Sequence, residues 1–405
     1  MDRQTIEHYK HRIESEFARS LRKEPPADCP VLPRVPMARF TDPRFYELEQ
    51  KHIFEKQWLY AAMSSQLPEP GDYMLWEEAQ VPILLVRGND GNVRAFYNSC
   101  RHRGGSLVSS PSGNTLRFSC RFHAWTYDLD GKLLFVPEQY EFPSLDKSCH
   151  SLRELRCESF GNLIFVNRDP NAISLKKYIG KLADELDHFD FHKRLYIKTL
   201  YWDLDCNWKI ALDAFCESYH ILRTHAETVA PMMESRAGVI KMWEGGHSYM
   251  ITPFRRGGQV FYDRGGTGDP RHEITRNENQ SATLFPNVEL FLMEESMALL
   301  NFWPRGVDKT RFEGVIITLG DELTEERKRQ ADELGDQLSV VLPEDISNMG
   351  AVQQSAKLGM LESATLGCLE RRLYQFNEEI DRKIGPENIP VELRVEPVMG
   401  PYLER

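Results

Sequence analysis

Apolar residues in the first part of the chain follow a helical spacing. They recur every three or four positions: Ile6, Tyr9, Ile13, Phe17 and Leu21. This spacing predicts a helix over residues 1–22. After a proline-rich loop, Thr41-Asp42-Pro43 predicts the start of a second helix that runs to about Phe54, because Asp or Thr caps helices and Pro suits a first turn.

The pattern changes at Trp58, and short β-type segments follow as far as about Asn167. The predicted strands include Trp58–Ser64, Val81–Val86, Val93–Asn98, Leu116–Ser119 and Leu163–Val166. Turn sequences rich in Asn, Asp and Gly separate them. We expect a small all-β domain over residues 58–170.

From about residue 172 the pattern is mixed. Helices are predicted near 172–187, 207–226, 323–337, 343–358 and 370–384. Strands are predicted near 196–205, 237–243, 247–254, 286–293, 297–303 and 311–319. The Gly- and charge-rich stretch Arg255–Gln280 predicts a mobile loop. The fold class expected is therefore α+β, with the all-β domain joined to a domain over residues 171–405 that is built on an antiparallel sheet.

Composition and charge narrow the class of function. The chain has 405 residues and a formal charge of −11, which argues against nucleic-acid binding because phosphate contacts need a basic face. We expect no membrane span and no signal peptide, since no long apolar run occurs. The eight cysteines are scattered, so metal ligation or burial in a reducing cytoplasm is expected rather than a disulfide framework.

Two short motifs each combine one cysteine with one histidine. Cys100-Arg-His102 is followed by Cys120-Arg-Phe-His123. Zinc motifs usually pair Cys with Cys and His with His. A Rieske [2Fe–2S] cluster takes two Cys on one iron and two His on the other, and each of its loops supplies one Cys and one His. The spacing favours the cluster, while zinc and a pair of buried cysteines beside solvated histidines stay open.

The residues that flank these motifs suit a cluster site. Trp125 and Tyr127 could shield one side of it. Arg101, Arg103 and Arg121 could form a solvated rim or a docking surface for an acidic electron donor.

A second constellation lies in the predicted helix 207–226. It contains Glu217, His220 and His225. At 100° per residue, Glu217 and His220 share a face, but His225 lies about 140° from His220. Both histidines can reach one metal if the helix is kinked, carries a π-bulge or ends there. Non-haem Fe(II) that activates O2 uses two His and one carboxylate.

These motifs, with a late acidic helix, strongly resemble the terminal oxygenase (alpha) subunit of the Rieske non-haem iron ring-hydroxylating oxygenases. The resemblance covers nearly the whole chain. It implies that Cys100, His102, Cys120 and His123 bind the [2Fe–2S] cluster and that His220 and His225 bind a mononuclear Fe(II).

The resemblance also implies a third iron ligand in the stretch from Leu342 to Met349, and Asp345 matches best. From the residues alone, Glu344 and Asp345 are equally good candidates for this ligand. Glu217 would not bind iron but would link His220 to His123 of a neighbouring protomer. The chain departs from the usual sequence of this family at two positions. Ala214 stands where members often have Asn, and Glu217 stands where many ring dihydroxylases have Asp. The Glu at position 217 weakly favours monooxygenation.

The implied fold is a Rieske domain and a helix-grip-like catalytic domain, with the helices of residues 1–57 packed on the latter. The implied reaction is O2-dependent cis-dihydroxylation, monohydroxylation or oxidative dealkylation of an organic substrate, with an aromatic one expected. Electrons would come from NAD(P)H through a ferredoxin, a flavoprotein reductase or both. A homotrimer is expected, with or without a small beta subunit.

Two other functions remain open from the sequence: a Rieske-type electron carrier and a zinc-stabilised binding module. If the chain is an oxygenase, a substrate pocket is expected between the iron helix and the strands near 284–303. Its candidate wall residues are Phe215, Leu222, Phe285, Leu290, Phe291 and Leu299.

Overall fold

A computed structural model describes residues 1–256 and 268–404. It divides into two compact units, Phe54–Leu175 and the combination of Met1–Ile53 with Lys176–Arg405. The α-helices are α1 (Arg3–Arg22), α2 (Pro43–Glu49), α3 (Leu175–Ile179), α4 (Leu182–Leu186), α5 (Trp208–Asp213), α6 (Ile221–Thr224), α7 (Glu273–Asn277), α8 (Glu325–Lys357) and α9 (Arg371–Ile384).

The strands are mostly short in the first half of the chain and longer in the second. They are β1 (Val35–Pro36), β2 (Leu59–Met63), β3 (Asp72–Trp76), β4 (Ile83–Arg87), β5 (Val93–Tyr97), β6 (Ser112–Asn114), β7 (Phe118–Ser119), β8 (Thr126–Tyr127), β9 (Leu133–Phe135), β10 (Glu154–Phe160), β11 (Leu163–Asn167), β12 (Arg194–Leu204), β13 (Val239–Met242), β14 (Ser248–Pro253), β15 (Glu278–Leu284), β16 (Val288–Leu292), β17 (Ser296–Gly306), β18 (Lys309–Leu319) and β19 (Ser363–Ala364).

The unit Phe54–Leu175 is built from two antiparallel sheets. The larger has the strand order β2-β11-β10-β5-β4-β3-β6, and the smaller has the order β7-β8-β9. One apolar cluster includes Cys100 and Cys120 with Phe96, Trp125 and Tyr127. The two motif cysteines are therefore part of the core of this unit, and the predicted all-β architecture is confirmed.

The other unit is organised around a seven-stranded sheet. Its strand order is β12-β18-β17-β16-β15-β14-β13, and all neighbours are antiparallel. Helices α5 and α8 pack against β17 and β18. The predicted α+β class with an antiparallel sheet is thus confirmed, with two long helices, α8 and α9, after the last strand of that sheet.

Four of the predicted helices differ from the structure in detail. The helix predicted over 172–187 is two short helices with Gly180 between them, at a φ of 56° that favours glycine. The helix predicted over 207–226 ends at Asp213 and resumes at Ile221. The two helices predicted on either side of Pro343 are one helix, α8, which tolerates an internal proline because packing on the sheet outweighs one lost hydrogen bond.

The sequence prediction missed strand β15. Residues 255–280 read as a loop, yet the structure has α7 at Glu273–Asn277 and β15 from Glu278. The middle of the predicted loop, residues 257–267, lies outside the described residues. Strand β15 was missed because it begins with four polar residues in succession, Glu278 to Ser281, so its sequence lacks apolar alternation although most of the strand is buried.

Buried polar side chains line one face of β14, β15 and β16. Ser248, Thr283 and Glu289 form one row across the three strands. Arg372 of α9 reaches this row, where its Nε donates to Ser248 Oγ at 2.8 Å and its Nη2 donates to Thr283 Oγ1 and Glu289 Oε1 at 2.6 and 3.0 Å. Arg372 and Glu289 form a buried ion pair, so their opposite charges compensate each other.

Among the described residues, none of the helices combines the length and the apolar character that crossing a bilayer requires.

His247 is a buried histidine with both ring nitrogens engaged. Its Nε2–H donates to the carbonyl of Tyr178 at 2.9 Å, and its Nδ1 accepts from the amide of Phe285 at 3.2 Å. Protonation at Nδ1 would break the second bond. Burial accordingly lowers the pKa of His247 to about 4.

We predict that His247 makes the protein less stable in mild acid. The unfolded histidine titrates near pH 6.5 and the folded one near pH 4, so stability is complete above pH 6.5 and falls as the pH drops toward 4. Between pH 7 and 5 the wild type should lose about 2 kcal/mol more unfolding free energy than His247→Gln. Urea denaturation at both pH values measures this, with the exposed His8→Gln as control; equal pH dependence in wild type and His247→Gln would contradict it.

Candidate metal centres

The two Cys-His loops have the same backbone hydrogen bonds. In the first, the amide of Cys100 donates to Gly105 O and the amide of Gly104 donates to Cys100 O, at 2.8 and 2.9 Å. In the second, the amide of Cys120 donates to Trp125 O and that of Ala124 to Cys120 O, at 2.9 and 2.8 Å. The fifth residue of each loop has a positive φ, 78° at Gly104 and 55° at Ala124. The two loops thus present their donors in equivalent ways.

The donors of these loops differ in burial. Cys100 and Cys120 are buried, His102 is half-buried and His123 is exposed. Nδ1 of His102 is buried without a hydrogen-bond partner, and burial followed by the nearby His123 lowers the pKa of His102. A neutral, unpartnered imidazole nitrogen in this position is suited to a metal ligand.

Neighbouring residues fix the loops tightly around the donors. The ring of His102 stacks on that of Trp125, with centroids 4.9 Å apart. Tyr127 Oη lies 3.2 Å from Cys100 Sγ and accepts from the amide of Arg101 at 3.0 Å. A Cβ at position 105 would lie 3.2 Å from Cys120 Sγ, so glycine keeps the space beside that sulfur open.

The spread of the four donors argues against a single ion. Among the described residues, one group brings three metal-binding atoms within 4.8 Å of one another, and that group does not include Cys100, His102, Cys120 or His123. Tetrahedral zinc holds its donors closer than this limit. A cluster with two irons and bridging sulfides needs the wider spread.

The group that meets this limit is His220, His225 and Asp345. Asp345 Oδ1 lies 3.4 Å from Nε2 of His220 and 3.0 Å from Nε2 of His225. Asp345 and His225 are buried, and His220 is half-buried. The structure thus brings together the three residues that the sequence analysis expected to bind Fe(II).

A carboxylate stands behind each of these histidines. Nδ1 of His220 lies 2.5 Å from Glu217 Oε1, and Nδ1 of His225 lies 2.6 Å from Glu344 Oε2. The Nδ1 proton of each ring then points at a carboxylate, so Nε2 carries a lone pair. Two lone pairs that face the Asp345 carboxylate oxygen repel it unless a proton or a metal cation lies between them, and the three residues therefore fit a metal ion.

The charges around His225 show the same preference for a cation. Burial opposes protonation of His225, yet Asp345 and Glu344 outweigh burial and raise its pKa. For Glu344, burial acts to raise the pKa, but hydrogen bonds from His225 and Thr228 lower it below the usual value. The pocket stabilises positive charge at this position.

The break in the predicted helix 207–226 is what directs both histidines to one point. Asn207 caps α5 through the amide of Lys209, and Lys209 Nζ forms a buried ion pair with Glu49 Oε1 at 2.6 Å. Glu217 Oε2 then accepts from the amides of Tyr219 and His220. The chain turns there before α6, and His225 follows α6 as its C-cap.

The structure separates the two acids that the sequence could not distinguish. Asp345 faces both Nε2 atoms, whereas Glu344 contacts Nδ1 of His225 and accepts from Thr228 Oγ1 at 2.7 Å. The sequence analysis did not foresee a role for Glu344 behind His225. Adjacency to Asp345 on one helix is the signal that could have suggested it, since neighbouring positions point about 100° apart.

A cavity of about 560 Å³ adjoins this group. Phe215 and Phe291 line it as predicted, but Leu222, Phe285, Leu290 and Leu299 are not among its described lining residues. Leu290 and Leu299 pair across β16 and β17, one residue from Phe291, and alternation along a strand turns them to the other face. The lining also contains four methionines: Met232, Met233, Met250 and Met293.

The arginines near the Cys-His loops are exposed. Arg101, Arg103 and Arg121 all face solvent, and the guanidinium of Arg103 lies 5.0 Å from the ring centroid of Phe122. Phe122 is itself exposed. This surface combines positive charge with one aromatic ring beside the exposed His123.

Comparison with known proteins agrees with both centres. A family model described as "Rieske [2Fe-2S] domain" matches residues 57–146, and one described as "Ring hydroxylating alpha subunit (catalytic domain)" matches residues 191–385. Together the two models account for more than half of the chain.

Curated relatives include oxygenase subunits. The chain is 34% identical over 211 residues to a benzene 1,2-dioxygenase subunit alpha from Pseudomonas putida, a match that covers 51% of this chain and 46% of the relative. It thus spans about half the length of that relative. It is 28% identical to a toluate 1,2-dioxygenase subunit alpha from Pseudomonas putida, over 81% of this chain and 80% of the relative.

A solved structure supports the fold. Naphthalene 1,2-dioxygenase from Rhodococcus sp. bound to indole superposes with a TM-score of 0.76 and 23% identity, over 87% of this chain and 94% of that one. The paired Cys-His loops, the His-His-Asp group and the two family models lead to one conclusion: the chain belongs to the ring-hydroxylating alpha-subunit family of the Rieske oxygenases.

Proposed function

We propose that this protein is the terminal oxygenase component of a multicomponent Rieske oxygenase. It would use O2 and two electrons to hydroxylate an organic substrate, which we expect to be aromatic. The observation that carries the proposal is the pair of donor sets in one chain, one suited to a cluster and one to a single ion beside an apolar cavity.

Each part of the chain has a role in this proposal. Residues 58–170 are the cluster domain, residues 171–405 are the catalytic domain and residues 1–57 are helices that pack on the catalytic domain. Cys100, His102, Cys120 and His123 would hold the [2Fe–2S] cluster, and His220, His225 and Asp345 would hold the Fe(II). When bound, the cluster supplies single electrons and the Fe(II) supplies the site of O2 activation.

The protein's own residues orient and shield this site. Glu217 and Glu344 hold the protons of the two histidines at Nδ1, which fixes the rings and increases the basicity of Nε2. The apolar lining of the cavity excludes water and leaves room for a substrate beside the ligand group.

Electrons would reach this protein from NAD(P)H through a separate ferredoxin, a flavoprotein reductase or both. The exposed arginines around His123 suit an acidic donor surface. We further propose a homotrimer, with or without a small beta subunit, in which Glu217 joins His220 to His123 of a neighbouring protomer. The eight cysteines are all unpaired, which fits a reducing cytoplasm.

The first prediction tests the function itself. Purified protein should be red-brown, and its reduced cluster should give an EPR signal distinct from that of an all-cysteine cluster, because imidazoles carry less charge than thiolates. With a surrogate reductase, NADH and a panel of ring compounds, it should incorporate oxygen from 18O2, measured by mass spectrometry.

The matched variants for this experiment are His102→Ala and His150→Ala. His150 also lies beside Trp125, with ring centroids 5.9 Å apart, but its Nδ1 is engaged by Asp146 O. His102→Ala should lose the cluster and His150→Ala should keep it. A colourless protein with stoichiometric zinc would refute the proposal.

The second prediction separates Asp345 from Glu344. Asp345→Ala should keep the cluster but lose the mononuclear iron and turnover, since one of three ligands is gone. Glu344→Ala should still bind iron, with affinity reduced roughly 10- to 100-fold, because it acts on His225 rather than on the metal. Iron analysis and metal titration measure both, with Glu326→Ala, an exposed acid on the same helix, as control. The assignment fails if Asp345→Ala retains iron and Glu344→Ala does not.

The third prediction concerns Glu217. Glu217→Gln keeps the size of the side chain but removes its charge, so both metals should stay while cluster oxidation slows roughly 10- to 100-fold. Stopped-flow absorbance of the reduced cluster, mixed with substrate and O2, follows this step. Glu370→Gln is the control: it removes an acid that lines the same part of the structure, yet its carboxylate engages Gly367 N rather than His220. Equal rates in wild type and Glu217→Gln would exclude the bridge.

A further inference from the structure

Two cysteines outside the Cys-His loops lie side by side in the unit that contains the seven-stranded sheet. Cys29 is on the segment between α1 and β1, and Cys368 opens a short helical turn, Cys368–Glu370, that directly precedes α9. The thiol of Cys29 is in hydrogen-bond contact with the thiol of Cys368. Both cysteines are unpaired and half-buried. The fold thus brings together two thiols that are more than 300 positions apart in the sequence.

One arginine holds the chain beside both cysteines. Arg371 is buried. Its Nη1 donates to the carbonyl of Cys368 at 2.7 Å, and its Nη2 donates to the carboxylate of Asp28 at 3.1 Å. Nη2 of Arg12 lies 3.8 Å from the same carboxylate. The backbone next to each thiol is therefore held in place by contacts that do not involve the sulfur atoms.

The surroundings keep Cys29 protonated at neutral pH. Burial, followed by the hydrogen bond with Cys368, raises the pKa of Cys29 to about 12, while the positive charge of Arg371 acts in the opposite direction. The thiolate is the reactive form of cysteine. A reaction of the pair with an electrophile therefore begins at the sulfur of Cys368, and Cys29 is the second sulfur to react.

A bound metal ion explains this pair less well. Structural metal sites built on thiolates use four protein donors. Among the described residues, the group that brings three metal-binding atoms within 4.8 Å of one another is His220, His225 and Asp345, and neither Cys29 nor Cys368 belongs to it. Two adjacent thiols without further donors have a simpler reaction, which is oxidation to a disulfide.

We propose that Cys29 and Cys368 are a redox-responsive pair that hydrogen peroxide converts to a disulfide, and that this bond staples the segment between α1 and β1 to the start of α9. The sulfur of Cys368 attacks one peroxide oxygen and breaks the O–O bond. This step gives a sulfenic acid, and the released hydroxide takes the thiol proton and leaves as water.

The second step closes the disulfide. The sulfur of Cys29 attacks the sulfenic sulfur of Cys368 and breaks its S–O bond. The hydroxide that leaves takes the proton of Cys29 and becomes the second water. Two thiols are thus oxidised by one peroxide, and the products are one disulfide and two waters.

The proposed function supplies a source of peroxide. An oxygenase that passes two electrons to O2 without hydroxylating a substrate releases hydrogen peroxide. A cross-link between positions far apart in sequence restricts the unfolded chain strongly, so the staple would stabilise the catalytic unit when peroxide is present. Only this source of peroxide rests on the proposed function, because the reaction of the two thiols does not require it.

Peptide mapping of the cluster-loaded protein tests the pair. The protein is treated with a small molar excess of hydrogen peroxide, quenched with catalase, alkylated in denaturant and digested. We expect mass spectrometry to show one cross-linked peptide pair that contains Cys29 and Cys368, is two hydrogen atoms lighter than the separate thiol peptides and is cleaved by dithiothreitol. The visible absorbance of the cluster, recorded before denaturation, shows whether Cys100 and Cys120 still bind it.

Serine variants connect the bond to stability. Cys29→Ser and Cys368→Ser should each abolish the cross-link. Cys149→Ser is the control, since Cys149 is an exposed cysteine whose Sγ donates to Asp146 Oδ2 at 3.4 Å. Peroxide should raise the melting temperature of the wild type and Cys149→Ser by roughly 3 to 7 °C, the effect of one long-range cross-link. Cys29→Ser and Cys368→Ser should show no such rise.

Several results would overturn the pair. It is wrong if Cys29 and Cys368 are recovered as separate thiols or sulfinic acids after treatment that oxidises Cys149. It is also wrong if the cross-link forms and the melting temperature does not rise. Because peroxide is added directly, a protein that forms the staple but yields no oxygenated product refutes the proposed function alone. An active oxygenase that forms no cross-link refutes the pair alone.

Discussion

The hydrogen bond between a carboxylate and the outer nitrogen of each candidate iron-binding histidine is the constraint on which this structure depends. Glu217 and Glu344 hold His220 and His225 at Nδ1, and this leaves Nε2 of both rings directed at Asp345. The arrangement requires a chain break between α5 and α6, because an unbroken helix would turn the two rings apart. It also requires α8 to pass close by with two adjacent acids. The surrounding fold supplies both features.

The paired Cys-His loops could be recognised in the sequence because their geometry is local. Cys100, His102, Cys120 and His123 lie in two tight loops, and their spacing is set by short-range geometry that the motif itself encodes. The antiparallel sheet and most strand positions could also be predicted, from the alternation of apolar and polar residues. The choice between Glu344 and Asp345 could not be predicted. It depends on how α8 is rotated against the sheet, and local sequence does not determine that rotation.

Other errors arose where tertiary contacts outweigh local preference. Pro343 predicted a helix boundary, yet α8 runs through it because the helix is packed along the sheet. Strand β15 appeared too polar for a buried strand, since its residues Ser281 and Thr283 owe their burial to an arginine more than 80 positions away in the sequence. A single sequence carries no local trace of Arg372 as their partner.

The adjacency of Glu344 and Asp345 has a consequence for how this helix can vary. One residue added or removed between the packed start of α8 and Glu344 would rotate both acids by about 100° and shift them by about 1.5 Å along the axis. Neither would then meet its histidine, and no side-chain substitution could restore both contacts at once. Changes of length are therefore excluded between Glu325 and Glu344, whereas the residue types in this part of the helix can vary.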